Sequence, residues 1–190
     1  LTRADKTPLR SCDGCIEDAV ALTEKDAARR MVAVFLKKFD FKDLFVTVRI
    51  NGADTEFFEK DLEEIIPCAP EAVRLPKCIG PEDVLLADKK ITEIENRCGL
   101  PLGSVKIHAM IETALGLEMA FAIASASPRV SALTIGGQDF TADMGVQKTK
   151  EGRELFYARC RVVAAAHAAG VDSYDTVWAD IMDNEGLLRE

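Results

Sequence analysis

Short apolar, β-branched runs alternate with amphipathic runs along this chain. Phe45-Val46-Thr47-Val48-Arg49-Ile50 reads as a strand followed by the turn residues Asn51-Gly52. Ala72-Val73-Arg74-Leu75-Pro76 reads as a second strand, ended by its own proline. Three further runs, 105–111, 130–135 and 173–178, have the same character, and the fourth strand stops at Gly136-Gly137. Helical runs fill the gaps. Thr23-Glu24-Lys25-Asp26 predicts a helix start, with Thr23 as N-cap and acids in the first turn. Ala27, Met31, Val34 and Phe35 then form its apolar stripe. Pro81-Glu82-Asp83 opens a second helix, which closes near Cys98-Gly99 and cannot pass Pro101. Residues 117–125 and 151–169 make two more, the last ended by Gly170. Strands alternating with helices imply parallel βαβ units. No G-x-G-x-x-G and no G-x-x-x-x-G-K-[ST] follows any strand, so the nucleotide-binding sheets lose support. The α/β class that remains is a TIM-type (β/α)8 barrel or a piece of one.

Length sharpens that reading. Such a barrel needs ~250 residues and eight strands, and the chain has 190. Five good strands and a truncated one near residue 15 are legible, about six of eight. Residues 1–190 therefore read as a single, partial barrel domain that lacks its first and last strands.

Composition narrows the partners. Lys and Arg number 24 against 32 Asp and Glu, a net charge of −8. That balance argues against nucleic acid, whose binders show a basic stripe, and against a polybasic membrane anchor. The longest strongly apolar stretch, Met119 to Ala126, is far short of the ~20 residues of a spanning helix. Arg3, Asp5, Lys6 and Arg10 speak against a signal peptide, so a cytoplasmic location is expected. The six cysteines then read as reduced thiols. Cys12 and Cys15 form a C-x-x-C pair, but no second such pair or His pair completes a zinc site, and two small residues near a strand are expected. His167 lies in an alanine-rich run, where packing is expected, and His108 is far from it in sequence.

In these barrels reactive groups sit at the C-terminal ends of strands. The ends here read Arg49-Ile50-Asn51, Pro76-Lys77, Glu112-Thr113 and Gly136-Gly137-Gln138-Asp139. Glu112 and Asp139 stand 27 residues apart, one βα unit. Two carboxylates on one rim suit Mg2+, which keeps water and substrate oxygens as its other ligands; otherwise they solvate a loop or cap a helix. Arg49 can hold a carboxylate or thioester oxygen in a bidentate fork, or form a structural ion pair. Lys77 fits a solvated loop at least as well as a ligand. Gly136 and Gly137 allow close approach of a ligand, or only make a turn.

Several of these motifs, taken in order, resemble one family. Glu17-Asp18-Ala19-Val20, Lys25-Asp26-Ala27-Ala28-Arg29, Val48-Arg49-Ile50-Asn51 and Arg74-Leu75-Pro76-Lys77 are similar to the citrate-lyase-β-like, or HpcH/HpaI aldolase, group. Ile111-Glu112-Thr113-Ala114-Leu115-Gly116, Gly136-Gly137-Gln138-Asp139, Arg159 and the run from Asp175-Thr176-Val177 to Asn184-Glu185-Gly186 continue it. The resemblance implies a TIM-type barrel and Mg2+-dependent carbon–carbon cleavage of a 3-hydroxy-acyl thioester. Citryl-CoA or citryl-acyl carrier protein, cleaved to oxaloacetate and an acetyl thioester, is the leading substrate. Malyl-CoA, citramalyl-CoA, a related thioesterase or aldolase, and a non-catalytic barrel subunit are the alternatives. The resemblance makes Glu112 and Asp139 the metal ligands and Arg49 the clamp on substrate oxygens. It makes Glu17 and Asp18 catalytic acids at the rim, with Lys77, Gly136 and Gly137 on the substrate side. It also implies α and acyl-carrier subunits as partners and a homotrimer or hexamer. Two departures stand out. Cys15-Ile16 runs into Glu17-Asp18 about three residues early, and no counterpart of the family's first or last strand is visible. A catalytic acid that relatives take from a C-terminal segment therefore has no residue here.

Overall fold

In the computed structural model, residues 11–42, 44–178, 180 and 182–189 are described. The four charges from Arg3 to Arg10, and the N-terminal segment in which no first strand was expected, lie outside those residues. The chain divides into two compact units. One comprises Leu1–Pro76 and Leu86–Ile107, the other Lys77–Leu85 and His108–Glu190.

The first unit opens with β1 (Ser11–Cys15), α1 (Lys25–Lys38), β2 (Phe45–Arg49), α2 (Phe58–Ile65) and β3 (Ala72–Leu75). β1 pairs parallel to β2, with Cys15 opposite Arg49, and β2 pairs parallel to β3, with Arg49 opposite Arg74. Cys12 and Cys15, the C-x-x-C pair, are both half-buried residues of β1. Val46, Val48, Val73 and Leu75 are buried, together with Leu62 and Ile65 of α2. α3 (Pro81–Cys98) begins at its proline and ends before Gly99, which takes the left-handed conformation at φ 69°. Its buried Glu95 accepts the N–H groups of Gly103 and Val105 at 2.9 and 3.0 Å, setting the approach to the next strand.

α1 departs from expectation. A 3-10 turn at Leu22–Glu24 precedes it, and no side chain caps it. Its predicted apolar stripe faces outward: Ala27 is exposed, and Met31, Val34 and Phe35 are 68, 49 and 47% exposed. The inward face is Lys25, Ala28, Arg29 and Ala33. Buried hydrogen bonds decide the orientation. Lys25 Nζ donates to the carbonyls of Ile16 and Glu17 at 3.0 and 2.7 Å, and Arg29 Nε donates to Asp61 Oδ1 at 2.7 Å. Outside, the Phe35 and Phe39 rings stack at 4.0 Å.

β4 (Lys106–Ile111) starts at the end of the first unit and continues into the second. The second unit then holds α4 (Ala114–Glu118), α5 (Ala120–Ser125), β5 (Val130–Ile135), α6 (Gly137–Asp143), α7 (Phe156–Ala169), β6 (Asp172–Tyr174) and α8 (Asn184–Arg189). Strand order in the sheet follows chain order. The helix expected over 117–125 starts earlier, because Thr113 caps it by accepting the Gly116 N–H at 3.0 Å, and it breaks at Met119. Gly170 ends α7 at φ 74°, as expected. His167 is exposed on α7, so the packing expected of it falls to Val162, Ala165 and Ala166. β6 is shorter than the run 173–178 suggested. Asp175 turns its carboxylate to the Thr176 N–H at 2.7 Å, the Thr176 hydroxyl accepts the Gly137 N–H at 3.1 Å, and the Trp178 indole donates to the Asp183 carbonyl at 3.0 Å. Side-chain bonds there replace a ladder.

Candidate functional site

In the first unit, β2 ends by presenting Arg49. Its Nε lies 3.2 Å from Cys15 Sγ, to which it donates, and 3.2 Å from Glu17 Oε2. Glu17 is 5% exposed. Burial pushes its carboxyl above the ordinary glutamate value, outweighing the Asp18 N–H and the Arg49 charge, which pull it down. Burial alone would lower the Arg49 pKa; the Cys15 hydrogen bond and the Cys15 and Glu17 charges outweigh it, and the value rises. Asp18 is exposed and meets the Glu17 carboxyl through its side chain and its backbone N–H.

A buried polar frame holds these groups. Asp61 Oδ2 accepts both the backbone N–H and Nδ2 of Asn51, at 2.8 and 2.6 Å, while Oδ1 takes Arg29. Asn51 Nδ2 also reaches the Ile16 carbonyl at 3.2 Å, and Ile16 N–H donates to the Arg49 carbonyl at 3.0 Å. The turn carrying Glu17 and the end of β2 carrying Arg49 are thereby tied to one carboxylate and one lysine. The sequence signal for that frame was the charge on the inner face of α1. Asp13 and Arg74 were also missed as partners: Arg74 Nη2 lies 3.4 Å from Asp13 Oδ2, and the Thr47 hydroxyl donates to Asp13 Oδ1.

In the second unit, Glu112 follows β4 directly and is 2% exposed. Its Oε2 accepts the Lys77 N–H at 3.0 Å. Lys77 sits at φ 53°, an uncommon conformation for a residue with a Cβ, and its side chain is exposed. Its backbone N–H thus meets Glu112. Gly136 lies against the same carboxylate: a Cβ there would stand 2.3 Å from Oε1 and 2.4 Å from Cγ. Gly136 N–H donates to the Ile111 carbonyl at 3.0 Å, bringing the ends of β4 and β5 together. Gly137 leaves room for Thr176 and Leu155 instead. Asp139 stands in the first turn of α6, and among the described residues its carboxylate makes no ion pair or hydrogen bond. Beside Lys77, the Cys78 thiol is fully buried and its pKa is pushed well up by burial. The residues expected to act therefore gather as Glu17, Asp18 and Arg49 in one unit and as Lys77, Glu112 and Gly136 in the other. Gly137 and Asp139 are at the start of α6, directly after β5. Among the described residues no group of three or more His, Cys, Asp or Glu could enclose a metal, and no helix is long and apolar enough to cross a membrane.

Residues 15–190 match the model of the HpcH/HpaI aldolase/citrate lyase family. The chain is 42% identical over 175 residues to the citrate lyase subunit beta of Haemophilus influenzae, covering 92% of this chain and 60% of that protein. It is 32% identical to the mitochondrial citramalyl-CoA lyase of Rattus norvegicus, covering 92% of this chain and 54% of that protein. The chain thus spans between half and two thirds of the length of these relatives. Among solved structures it resembles the citrate lyase beta subunit from Mycobacterium tuberculosis complexed with oxaloacetate and magnesium. That match has a TM-score of 0.76 and 28% identity, over 94% of this chain and 74% of that one. The fold is α/β, of the incomplete TIM-type class expected from the strand count. A match across residues 15–190, with the shared identities, places this chain in the HpcH/HpaI aldolase/citrate lyase family.

Proposed function

We propose that the protein is a carbon–carbon lyase that cleaves a 3-hydroxy-acyl thioester, citryl-CoA or citryl-acyl carrier protein, to oxaloacetate and an acetyl thioester. The carrying observation is Glu112: a carboxylate 2% exposed at a strand end, aimed by the Lys77 N–H and given space by the missing side chain of Gly136. A carboxylate so buried and so fixed in direction is suited to meet a cation rather than water. Asp139, in the first turn of the helix that follows β5, has a carboxylate uncommitted among the described residues. Two carboxylates, with no third acid, His or Cys grouped with them among the described residues, fit Mg2+, which takes hard oxygen donors and keeps open positions. Glu112 and Asp139 would hold it, and when bound it supplies Lewis-acid polarisation of substrate oxygens.

The chain's own residues account for the remaining steps. Arg49 stays charged and orients substrate oxygen through the nitrogens that Cys15 and Glu17 leave available. The reaction moves one proton: it leaves the hydroxyl, the bond from the carbinol carbon to the thioester α-carbon breaks, and that α-carbon is protonated. Glu17, whose carboxyl is raised by burial, can carry a proton beside Arg49, and exposed Asp18 connects it to water. Lys77, Gly136 and Gly137 shape the substrate side, and a CoA or carrier-protein thioester is the form delivered. In that setting α and acyl-carrier subunits are the partners. The test is Mg2+-dependent cleavage of citryl-CoA, malyl-CoA and citramalyl-CoA, with Glu112→Ala as the control. Citryl-CoA is expected to be cleaved fastest, and Glu112→Ala to lose activity by roughly a hundredfold or more while remaining folded. Full Mg2+-dependent activity in Glu112→Ala would overturn the assignment.

A further inference from the structure

Arg74 is a charged residue inside an otherwise apolar strand, and it stands in register with Arg49 on the neighbouring strand. Side chains alternate across a sheet. The register therefore puts Asp13, Cys15, Thr47, Arg49 and Arg74 on one face, and the Arg74–Asp13 and Thr47–Asp13 contacts agree. The opposite face carries Gly14 and Val48, against Val32 of α1.

Two guanidinium groups side by side repel unless an anion joins them. Asp13 meets only one of them, at 3.4 Å, and shares its other oxygen with Thr47. That uses one of the five N–H donors of Arg74. Its Nε is buried and has no hydrogen-bond partner among the described residues. Among the described residues the side-chain contacts of Arg49 are both at Nε, which leaves its terminal nitrogens for a ligand. A buried donor of a charged group left without an acceptor is unfavourable, and a carboxylate is the acceptor whose geometry matches the fork.

We infer that Arg74, beside Arg49, binds a second carboxylate of the acyl group, so that the protein selects thioesters whose acyl part bears two carboxylates. This rests on the lyase reading above and specifies its substrate. The carboxylate on the hydroxyl-bearing carbon is common to citramalyl and citryl thioesters. The second, one methylene further out, belongs to citryl alone, and after cleavage it distinguishes oxaloacetate from pyruvate. Arg74 binds and takes no part in proton transfer.

The experiment compares wild type, Arg74→Met and Arg74→Lys in two assays. One is kcat/KM for citryl-CoA and citramalyl-CoA with Mg2+; the other is calorimetric binding of oxaloacetate and pyruvate with Mg2+. Wild type is expected to prefer the dicarboxylic member in both. Arg74→Met is expected to cut the citryl-to-citramalyl ratio by about 10- to 100-fold, chiefly through KM, with Arg74→Lys recovering part of it. The oxaloacetate-to-pyruvate affinity ratio is expected to fall by a similar factor. An unchanged ratio in Arg74→Met, or a wild type that prefers citramalyl-CoA, overturns the inference. If wild type cleaves neither thioester yet loses its oxaloacetate preference on Arg74→Met, the lyase reading fails and the carboxylate site stands.

Discussion

Replacing Gly136 by alanine tests the close approach of its backbone to Glu112. The new Cβ would lie 2.3 Å from Glu112 Oε1 and 2.7 Å from Cδ. An ordinary contact begins near 3.4 Å, so the carboxylate must retreat by about 1 Å. Gly136 has φ −95°, so the backbone itself tolerates a side chain and the clash is the whole perturbation. Glu112 is 2% exposed and cannot swing into water. A retreat of that size disturbs the carboxylate that accepts the Lys77 N–H at 3.0 Å. Overpacking of this kind costs about 1–3 kcal/mol. For a chain of this size that lowers the melting temperature by roughly 3–10 °C. Misplacing a reacting group by about 1 Å costs on the order of 100-fold in rate. The assay is initial-rate cleavage of citryl-CoA across a Mg2+ titration, alongside thermal melting. The Gly136→Ala enzyme should show a rate about 100-fold lower and a higher half-saturating Mg2+. Gly145→Ala is the companion: at φ 66° with nothing within 4 Å, it brings backbone strain without a clash and should lose stability alone. A Gly136→Ala enzyme with wild-type rate and Mg2+ dependence would refute the role given to Glu112.

Other substitutions probe the frame. Asp61→Ala should destabilise by about 3–5 kcal/mol in chemical denaturation, because it strips Arg29 and Asn51 of a fully buried acceptor. Lys77→Gly should stabilise by about 0.5–1 kcal/mol by relieving the positive φ, after allowing for glycine's extra freedom in the unfolded chain, while the backbone N–H to Glu112 remains. The pH dependence of stability carries a Glu17 signature. Its folded pKa is raised, so the folded state holds a proton that the unfolded chain has already released. Stability therefore falls as pH rises from the ordinary glutamate value through the raised one and is level above it. Glu17→Gln should flatten that part of a melting-temperature-versus-pH curve.

The strands were legible because their apolar runs stop at charges or glycines, and buried parallel strands leave little ambiguity of face. The candidate site residues stood out for the same reason: Arg49, Glu112 and the Gly136-Gly137 pair interrupt hydrophobic runs. What the pattern hid was direction. A hydrophobic stripe on α1 predicts an inward face only when burying carbon outweighs every other interaction the helix can make. Here Lys25 and Arg29 satisfy carbonyls and Asp61 inside, and those bonds set the rotation of the helix instead. Spacing alone also cannot show that the Lys77 backbone N–H meets Glu112, because that depends on a turn with positive φ. β6 was overestimated because Asp175 and Thr176 have strand-like neighbours but use their side chains locally.

The outward face of α1 bears on how the protein behaves at the bench. Met31, Val34, Phe35 and Phe39 are all about half or more exposed, with two rings already stacked. Environment-sensitive dyes that report unfolding by lighting up on apolar surface will find such a surface before any heating begins. Their starting fluorescence will be high and their apparent transition shallow, so melting of this protein is better followed by circular dichroism or by the fluorescence of its single tryptophan, Trp178.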